Sequence, residues 1–120
     1  MGITGAIISF IIFVCSNSPV DSVFMIELMM RESEGVATAV GDRDAPTGTS
    51  VGLFQFQHDT YDWAYEKVFG EGPNWDATDD PRTNEVRSIM VAHWMLENGY
   101  AEMWTAGREM ISEGLEVECD

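Results

Sequence analysis

Basic residues are scarce in this chain. Its 120 residues include 6 Lys and Arg against 21 Asp and Glu, which gives a formal net charge of −15. Nucleic-acid binding depends on clustered Lys and Arg that neutralise phosphates, so this balance excludes nucleic acid as an expected partner. The same charge repels an anionic wall or membrane surface, and salt screens that repulsion over a Debye length of about 8 Å at physiological ionic strength. A protein of this charge that acts on such a surface indicates saline surroundings.

Cysteine is nearly absent, with only Cys15 and Cys119 near opposite ends of the chain. In an oxidising compartment they would form one disulfide that ties these ends together. In a reducing compartment they would remain two small apolar residues, and the sequence leaves both interpretations open. No Cys or His spacing is typical of zinc, and His58 and His93 lie far apart. We therefore interpret both histidines as packing or surface residues and predict neither a metal nor a cofactor.

A hydrophobic run long enough to span a bilayer is also missing. Residues 2–14 are apolar and uncharged, but a spanning helix needs roughly 20 such residues. The run fits the hydrophobic region of a secretory signal or a weak anchor, although no Lys or Arg precedes it. It predicts export or membrane attachment in the cell envelope or periplasm. The alternatives are a buried N-terminal helix and a contact with a partner, such as a membrane or a virion protein.

What remains has the composition of one mainly α domain, with 45% hydrophobic and 11% aromatic residues. We predict an apolar segment at 1–16, one domain at 17–112 and a loosely ordered acidic tail at 113–120. Ser18 and Pro19 predict the start of a helix that is apolar nearly all round and therefore buried. Further helices are predicted before Gly70, between Pro81 and Asn98, and around residues 100–104. Trp63, Trp75, Trp94 and Trp104 are interpreted as core residues rather than sugar-stacking platforms.

Glu32 ends the first of these helices and is the candidate catalytic residue. A carboxyl group against apolar walls has a raised pKa, and the negative end of the helix dipole disfavours its ionised form further. A protonated carboxyl group at neutral pH is what the general acid of glycosidic-bond cleavage must supply.

A turn-rich loop and a short extended segment follow Glu32. Asp42 and Asp44 lie in that loop and are interpreted as solvated residues, because the longer ligand series of a calcium loop is missing. The segment Val51 to Gln57 alternates and predicts a short strand. There, Gly52 would let a sugar approach the backbone, and Gln55 offers both a hydrogen-bond donor and an acceptor.

The pair Glu32-Ser33 together with Gly52-Leu53-Phe54-Gln55 resembles the soluble lytic transglycosylase family of the lysozyme-like superfamily. In that family a Glu-Ser pair ends one helix, and a Gly-Leu-Met-Gln run lines the opposite wall of a cleft. The resemblance covers roughly residues 20–107 and implies an α+β lysozyme-like fold with a small extended segment lining the cleft. Phe54 stands where the family usually has Met, and residues 52–57 also resemble a motif of hen-type lysozymes.

The resemblance implies that Glu32 is catalytic and that peptidoglycan glycan strands are the partner. The substrate-binding residues that it implies are Ser33, Ser50, Gly52, Phe54, Gln55 and Asn84. Asn84 is included among them because the family has an Asp-Pro pair followed by an Asn. The sequence Asp80-Pro81 followed by Asn84 resembles this pattern. The Gly and Tyr that the family carries later in that helix are replaced by Ser88 and Val91.

The number of carboxylates distinguishes between two mechanisms. Hen-type lysozymes carry an Asp two residues before the motif's Gly, where this chain has Ser50, and no carboxylate lies between Pro46 and Gln57. This favours a lytic transglycosylase, in which one Glu performs both proton transfers and leaves 1,6-anhydro ends. The alternatives are a hydrolytic lysozyme, with Asp59 or Asp44 positioning water, and a non-catalytic virion or structural protein with a glycan-binding fold. The small single domain also suits a bacteriophage origin.

Overall fold

The computed structural model describes residues 5–41 and 48–119, and helices make up most of this part of the chain. The helices are α1 (Gly5–Cys15), α2 (Ser22–Ser33), α3 (His58–Phe69), α4 (Glu85–Glu97) and α5 (Thr105–Ser112). Two short 3-10 turns, Pro81–Thr83 and Ala101–Met103, precede α4 and α5. The strands β1 (Val40–Gly41) and β2 (Ser50–Val51) pair antiparallel. The mainly α prediction is confirmed, while Asp42 and Asp44 lie outside the described residues.

The central helix is α2, as its apolar sequence predicts. Its fully buried side chains are Phe24, Met25, Leu28 and Met29. The helix begins three residues later than predicted, because Asp21 rather than Ser18 is the N-cap and accepts a hydrogen bond from the Val23 N–H (2.8 Å). It ends where expected: Glu34 adopts a left-handed conformation (φ 55°) and Gly35 follows. Glu32 is therefore the penultimate residue of a helix whose middle is buried.

Helix α1 packs against α2 and α4. Ile7, Ile11 and Cys15 are buried and belong to the common core, so the predicted boundary after residue 16 does not separate α1 from the domain. The opposite side of α1 is apolar and exposed, with Phe13 71% and Ile12 51% accessible. None of the helices within 5–41 and 48–119 has the length and apolar character needed to span a bilayer.

Residues 113–119 of the predicted tail contact the protein at both ends of α2. Just before α2, Val20 forms an isolated antiparallel β-bridge with Glu118. On either side of this bridge, the Asp21 N–H donates to the Val117 carbonyl and the Cys119 N–H donates to the Pro19 carbonyl, both at 2.8 Å. At the C-terminal end of α2, Arg31 forms an ion pair with Glu113 (2.7 Å). Backbone pairing therefore joins residues 117–119 to residues 19–21.

Three further elements differ from the prediction. The last helix was predicted around residues 100–104, but these residues precede it or form a 3-10 turn, and α5 begins at Thr105. Asp80-Pro81 opens a 3-10 turn rather than α4, which begins at Glu85 because the Asn84 side chain accepts a hydrogen bond from the Arg87 N–H (2.9 Å). The predicted extended segment is also shorter. After β2 the chain turns through residues 52–55, so that Val51 bridges to Phe56. This turn forms one side of the cleft described next.

Candidate active site

A cleft of about 360 Å³ brings Glu32 together with the segment after the long loop. Its lining residues are Glu32, Ser50, Gln55, Phe56, Gln57, Thr60, Met95, Met103, Trp104 and Thr105. A concave site with mixed apolar and polar walls of this kind suits a small ligand or one unit of a polymer. We call residues 50–56 the cleft wall.

Glu32 supplies the acidic group of this cleft. Its side chain is half-buried and lies in the last turn of α2, where the helix dipole disfavours a negative charge. Among the described residues that line the cleft, Glu32 is the only ionisable one. The hydrolytic alternative uses Asp59 or Asp44, and Asp44 lies outside the described residues. Asp59 is fully exposed, forms a hydrogen bond to the ring of His58, and does not line the cleft. The described part of the site therefore offers one carboxyl group rather than two.

Gln55 lines the cleft, but its amide N–H groups are already used. Nε2 of Gln55 donates to the carbonyls of Ala39 (3.0 Å) and Gly52 (2.9 Å). The residue also adopts a positive φ of 52°, which is uncommon outside glycine. The predicted donation to a sugar is thus replaced by bonds that hold the turn and join it to the segment before β1. Gln55 therefore stabilises the conformation of the cleft wall through these hydrogen bonds.

Gly52 and Phe54 line the interior rather than the cleft. A Cβ atom at Gly52 would lie 2.2 Å from the carbonyl oxygen of Arg82, so the missing side chain makes room for this backbone instead of for a sugar. Phe54 is fully buried, and its ring packs against those of Phe56 and Trp104. The two predicted substrate contacts are corrected accordingly: both residues stabilise the cleft wall from behind.

Ser33 and Asn84 also lie away from this cleft. Ser33 is buried, donates to the Met29 carbonyl (3.3 Å) and accepts from the Gly35 N–H (3.2 Å), which closes the end of α2. Asn84 caps α4 and lines a second cleft of about 510 Å³ that has no lining residue in common with the first. Of the predicted substrate-binding residues, only Ser50 and Gln55 share a cleft with Glu32.

The sequence reasoning missed the contribution of residues 103–105. Met103 is 52% exposed at the cleft, and Trp104 is buried beside it with its indole N–H donating to the Phe54 carbonyl (2.9 Å). No local motif marks these residues, because about seventy positions separate them from Glu32 and only the packing of the helices brings them together. Trp104 was correctly interpreted as a core residue, and it also lines the cleft.

The histidines contact other parts of the protein. His93 forms a hydrogen bond with the Ser18 hydroxyl (2.7 Å), and burial lowers the pKa of its ring. His58 stacks on Trp75 with ring centroids 3.9 Å apart. Neither lines the cleft. Within the part of the chain that the structure describes, no three His, Cys, Asp or Glu side chains lie close enough together to hold a metal ion.

Comparison of the chain with models of protein families, with curated proteins and with solved structures finds no match. The resemblance to the soluble lytic transglycosylases consequently depends on the two short motifs. In the structure, the Glu of one motif and the Gln of the other line the same cavity.

Proposed function

We propose that this protein is a peptidoglycan-cleaving lytic transglycosylase with a lysozyme-like fold and Glu32 as its single acid and base. One observation carries the proposal. Glu32, half-buried at the end of α2, lines the same cleft as Ser50 and Gln55 and is the only ionisable residue among the described lining residues. A single positioned carboxyl group is sufficient for this reaction and is insufficient for the two-carboxylate routes of most glycosidases.

The proposed reaction moves one proton out of Glu32 and one back. The carboxyl group of Glu32 protonates the oxygen that links N-acetylmuramic acid to the following N-acetylglucosamine, and this bond breaks. The resulting carboxylate accepts the proton of the 6-hydroxyl of the same muramic acid, whose oxygen bonds to C1 and closes a 1,6-anhydro ring. The nucleophile is already part of the substrate, so it is held close without a second base.

The cleft provides polar groups beside the acid. The Ser50 and Thr60 hydroxyls are suited to hydrogen bonding with sugar hydroxyl and N-acetyl groups, while Met103 and Trp104 offer apolar surface to a ring face. A site that binds glycan in this way acts in the cell envelope. The protein would therefore be exported, membrane-attached or carried by a phage particle.

A non-catalytic role in a virion or at a membrane is the second candidate, and the exposed side of α1 favours it. Phe13 and Ile12 present an apolar surface on a molecule that is otherwise strongly acidic. Such a surface suits contact with another apolar surface more than with water. In this role the cleft would bind glycan without cleaving it.

Digestion of purified peptidoglycan, followed by mass spectrometry of the fragments, tests these candidates. Fragments with 1,6-anhydro ends would support the transglycosylase, whereas fragments with reducing ends would indicate a hydrolase. If the glycan stays intact, the non-catalytic role is the remaining candidate. We expect Glu32→Gln to lower cleavage by at least about 10²-fold, the usual range for a general acid or base, with an unchanged unfolding midpoint.

The control variant is Glu34→Gln, which removes the same charge from an exposed neighbour outside the cleft. It should cleave at the wild-type rate. Cleavage by Glu32→Gln at that rate would contradict the proposed role of Glu32.

A further inference from the structure

Arg82 is a buried arginine that lies behind the cleft wall. The residue is only 8% exposed, and a charge in such a place is stable only if it is paired and hydrogen-bonded. Its Nε and Nη2 donate to the two carboxylate oxygens of Asp80 (3.0 and 2.7 Å). Its Nη1 donates to the carbonyls of Thr49 and Phe56, both at 2.9 Å. The guanidinium group therefore binds the Asp80 carboxylate in a bidentate manner through Nε and Nη2, and it binds two backbone carbonyls through Nη1.

The two carbonyls that Nη1 contacts stand at either end of the cleft wall. Thr49 immediately precedes the wall, and Phe56 is its last residue. A third contact lies between them, because the Arg82 carbonyl touches Gly52 so closely that no Cβ atom would fit. The Ser88 hydroxyl donates to this carbonyl (2.8 Å) and fixes its direction from α4. One residue thus holds the wall at its start, its turn and its end.

Asp80 and Trp75 hold the guanidinium group itself. Asp80 accepts from both the side chain and the backbone N–H of Arg82 (2.9 Å for the latter). The hydrogen bonds from Arg82 keep the pKa of the Asp80 carboxyl below its ordinary value, so this carboxyl group is ionised at neutral pH. The ring of Trp75 lies 5.5 Å from the guanidinium carbon in a cation–π contact. The orientation of Arg82 is therefore determined before any ligand binds.

We propose that Arg82, oriented by Asp80, is a positioning residue that sets the location of the cleft wall relative to Glu32. Neither Arg82 nor Asp80 lines the cleft, so both act through the backbone that carries Ser50 and Gln55. The catalytic consequence depends on the proposed function, whereas the effect on the wall does not. A displacement of the wall by about 1 Å is enough to lower a rate by about 10²-fold in an enzyme.

Amide hydrogen exchange on the full chain tests the structural half of this proposal. Arg82→Lys keeps the charge, but a lysine ammonium cannot bridge a carboxylate and two carbonyls with a fixed fork. Asp80→Asn keeps the shape and removes the charge that orients Arg82. We expect either change to raise exchange within residues 50–56 by at least about tenfold, with α2 and the second half of α4 unchanged.

Asp76→Asn is the matched control, because it removes one carboxylate from an exposed position in the same loop. Its exchange should equal that of the wild type. Exchange that rises equally in all helices would show that Arg82 only stabilises the fold and would overturn the proposal. Unchanged exchange of residues 50–56 in both variants would overturn it as well.

Peptidoglycan cleavage tests the catalytic half, with rates expressed per folded molecule. Loss of folded protein lowers the apparent kcat but leaves the rate per folded molecule and the KM unchanged. A displaced wall instead lowers kcat/KM per folded molecule, and we expect a loss of about 10²-fold in Arg82→Lys and Asp80→Asn. Wild-type values in both variants would overturn the proposal. A wild-type protein that cleaves no glycan would refute the proposed function alone, since the exchange experiment still decides what Arg82 does to the wall.

Discussion

At the scale of single residues, Gly52 shows how a missing side chain shapes the cleft. Its φ of 95° is a left-handed conformation that L-residues rarely adopt, and a Cβ atom at this position would overlap the Arg82 carbonyl. Two separate costs therefore apply to any larger residue: backbone strain and overlap with a backbone that is itself fixed. Backbone strain applies at many turns, whereas the overlap with the Arg82 carbonyl is specific to the cleft wall.

Gly52→Ala should lower the free energy of unfolding by clearly more than Gly48→Ala does. Both positions have a positive φ, which costs about 1–3 kcal/mol for a residue held there. A Cβ atom at Gly48 meets nothing within 4 Å, whereas one at Gly52 would lie 2.2 Å from the Arg82 oxygen. Denaturant unfolding of the two variants measures the difference. Equal losses would show that the Arg82 backbone moves aside without cost.

The two thiols should differ sharply in reactivity. Cys15 is buried, its Sγ contacts the Met25 sulfur (3.8 Å), and burial raises the pKa of its thiol to about 11. Cys119 is exposed. Since the thiolate is the reactive form, an alkylating reagent at about pH 8 should label Cys119 quickly and Cys15 only after unfolding.

Mass spectrometry of the labelled chain checks this, with Cys119→Ser as the control that should take up no label while folded. Rapid labelling of Cys15 in the folded protein would contradict the burial of its thiol. A chain that takes up label at neither position until it is reduced would instead contain the disulfide that the sequence left open.

At the scale of elements, α1 contributes the buried side chains of Ile7, Ile11 and Cys15 to the core. We expect Ile11→Ala to lower the free energy of unfolding by about 2–5 kcal/mol, because the side chain is fully buried and its loss leaves a cavity. Phe13→Ala on the exposed side should change it by less than about 0.5 kcal/mol. Thermal or denaturant unfolding measures both. A neutral Ile11→Ala would show that α1 folds apart from the domain.

The elements also show how far the sequence predicts this fold. The buried α2 and the end of α4 at Asn98 followed from apolar periodicity and glycine positions, which are local signals. Helix starts were wrong where two capping residues compete. Ser18 and Asp21 both suit an N-cap, and the pairing of residues 19–21 with the tail favours the second. Such a pairing joins distant parts of the chain, so no local pattern reveals it.

The same distinction applies to the site. Short motifs named Glu32 and Gln55 as candidates, and the two residues share a cleft with Ser50. A motif does not tell which side chains face the cavity, and Phe54 faces the core instead. Trp104 was not predictable as a lining residue, since its place depends on the packing of α5 and the turn before it.

At the scale of the whole molecule, the formal charge of −15 acts on both stability and binding. Repulsion among exposed carboxylates opposes the compact state, and salt screens it with a Debye length of about 3 Å at 1 M. We expect the melting temperature to rise between about 10 mM and about 1 M NaCl. Cleavage of anionic peptidoglycan should rise over the same range of salt, because the repulsion between enzyme and substrate is screened as well. A melting temperature that falls with salt would contradict this expectation.

The contact of Gly52 with the Arg82 carbonyl makes two distant positions dependent on each other. A genetic selection that starts from Gly52→Ala and demands recovered folding should therefore yield suppressors around residues 81–88, not beside residue 52. Ser88 is a natural target, because loss of its hydroxyl frees the carbonyl that it holds. The same dependence predicts covariation: in sequences that evolve from this one, a side chain at position 52 should appear only together with changes in the turn before α4.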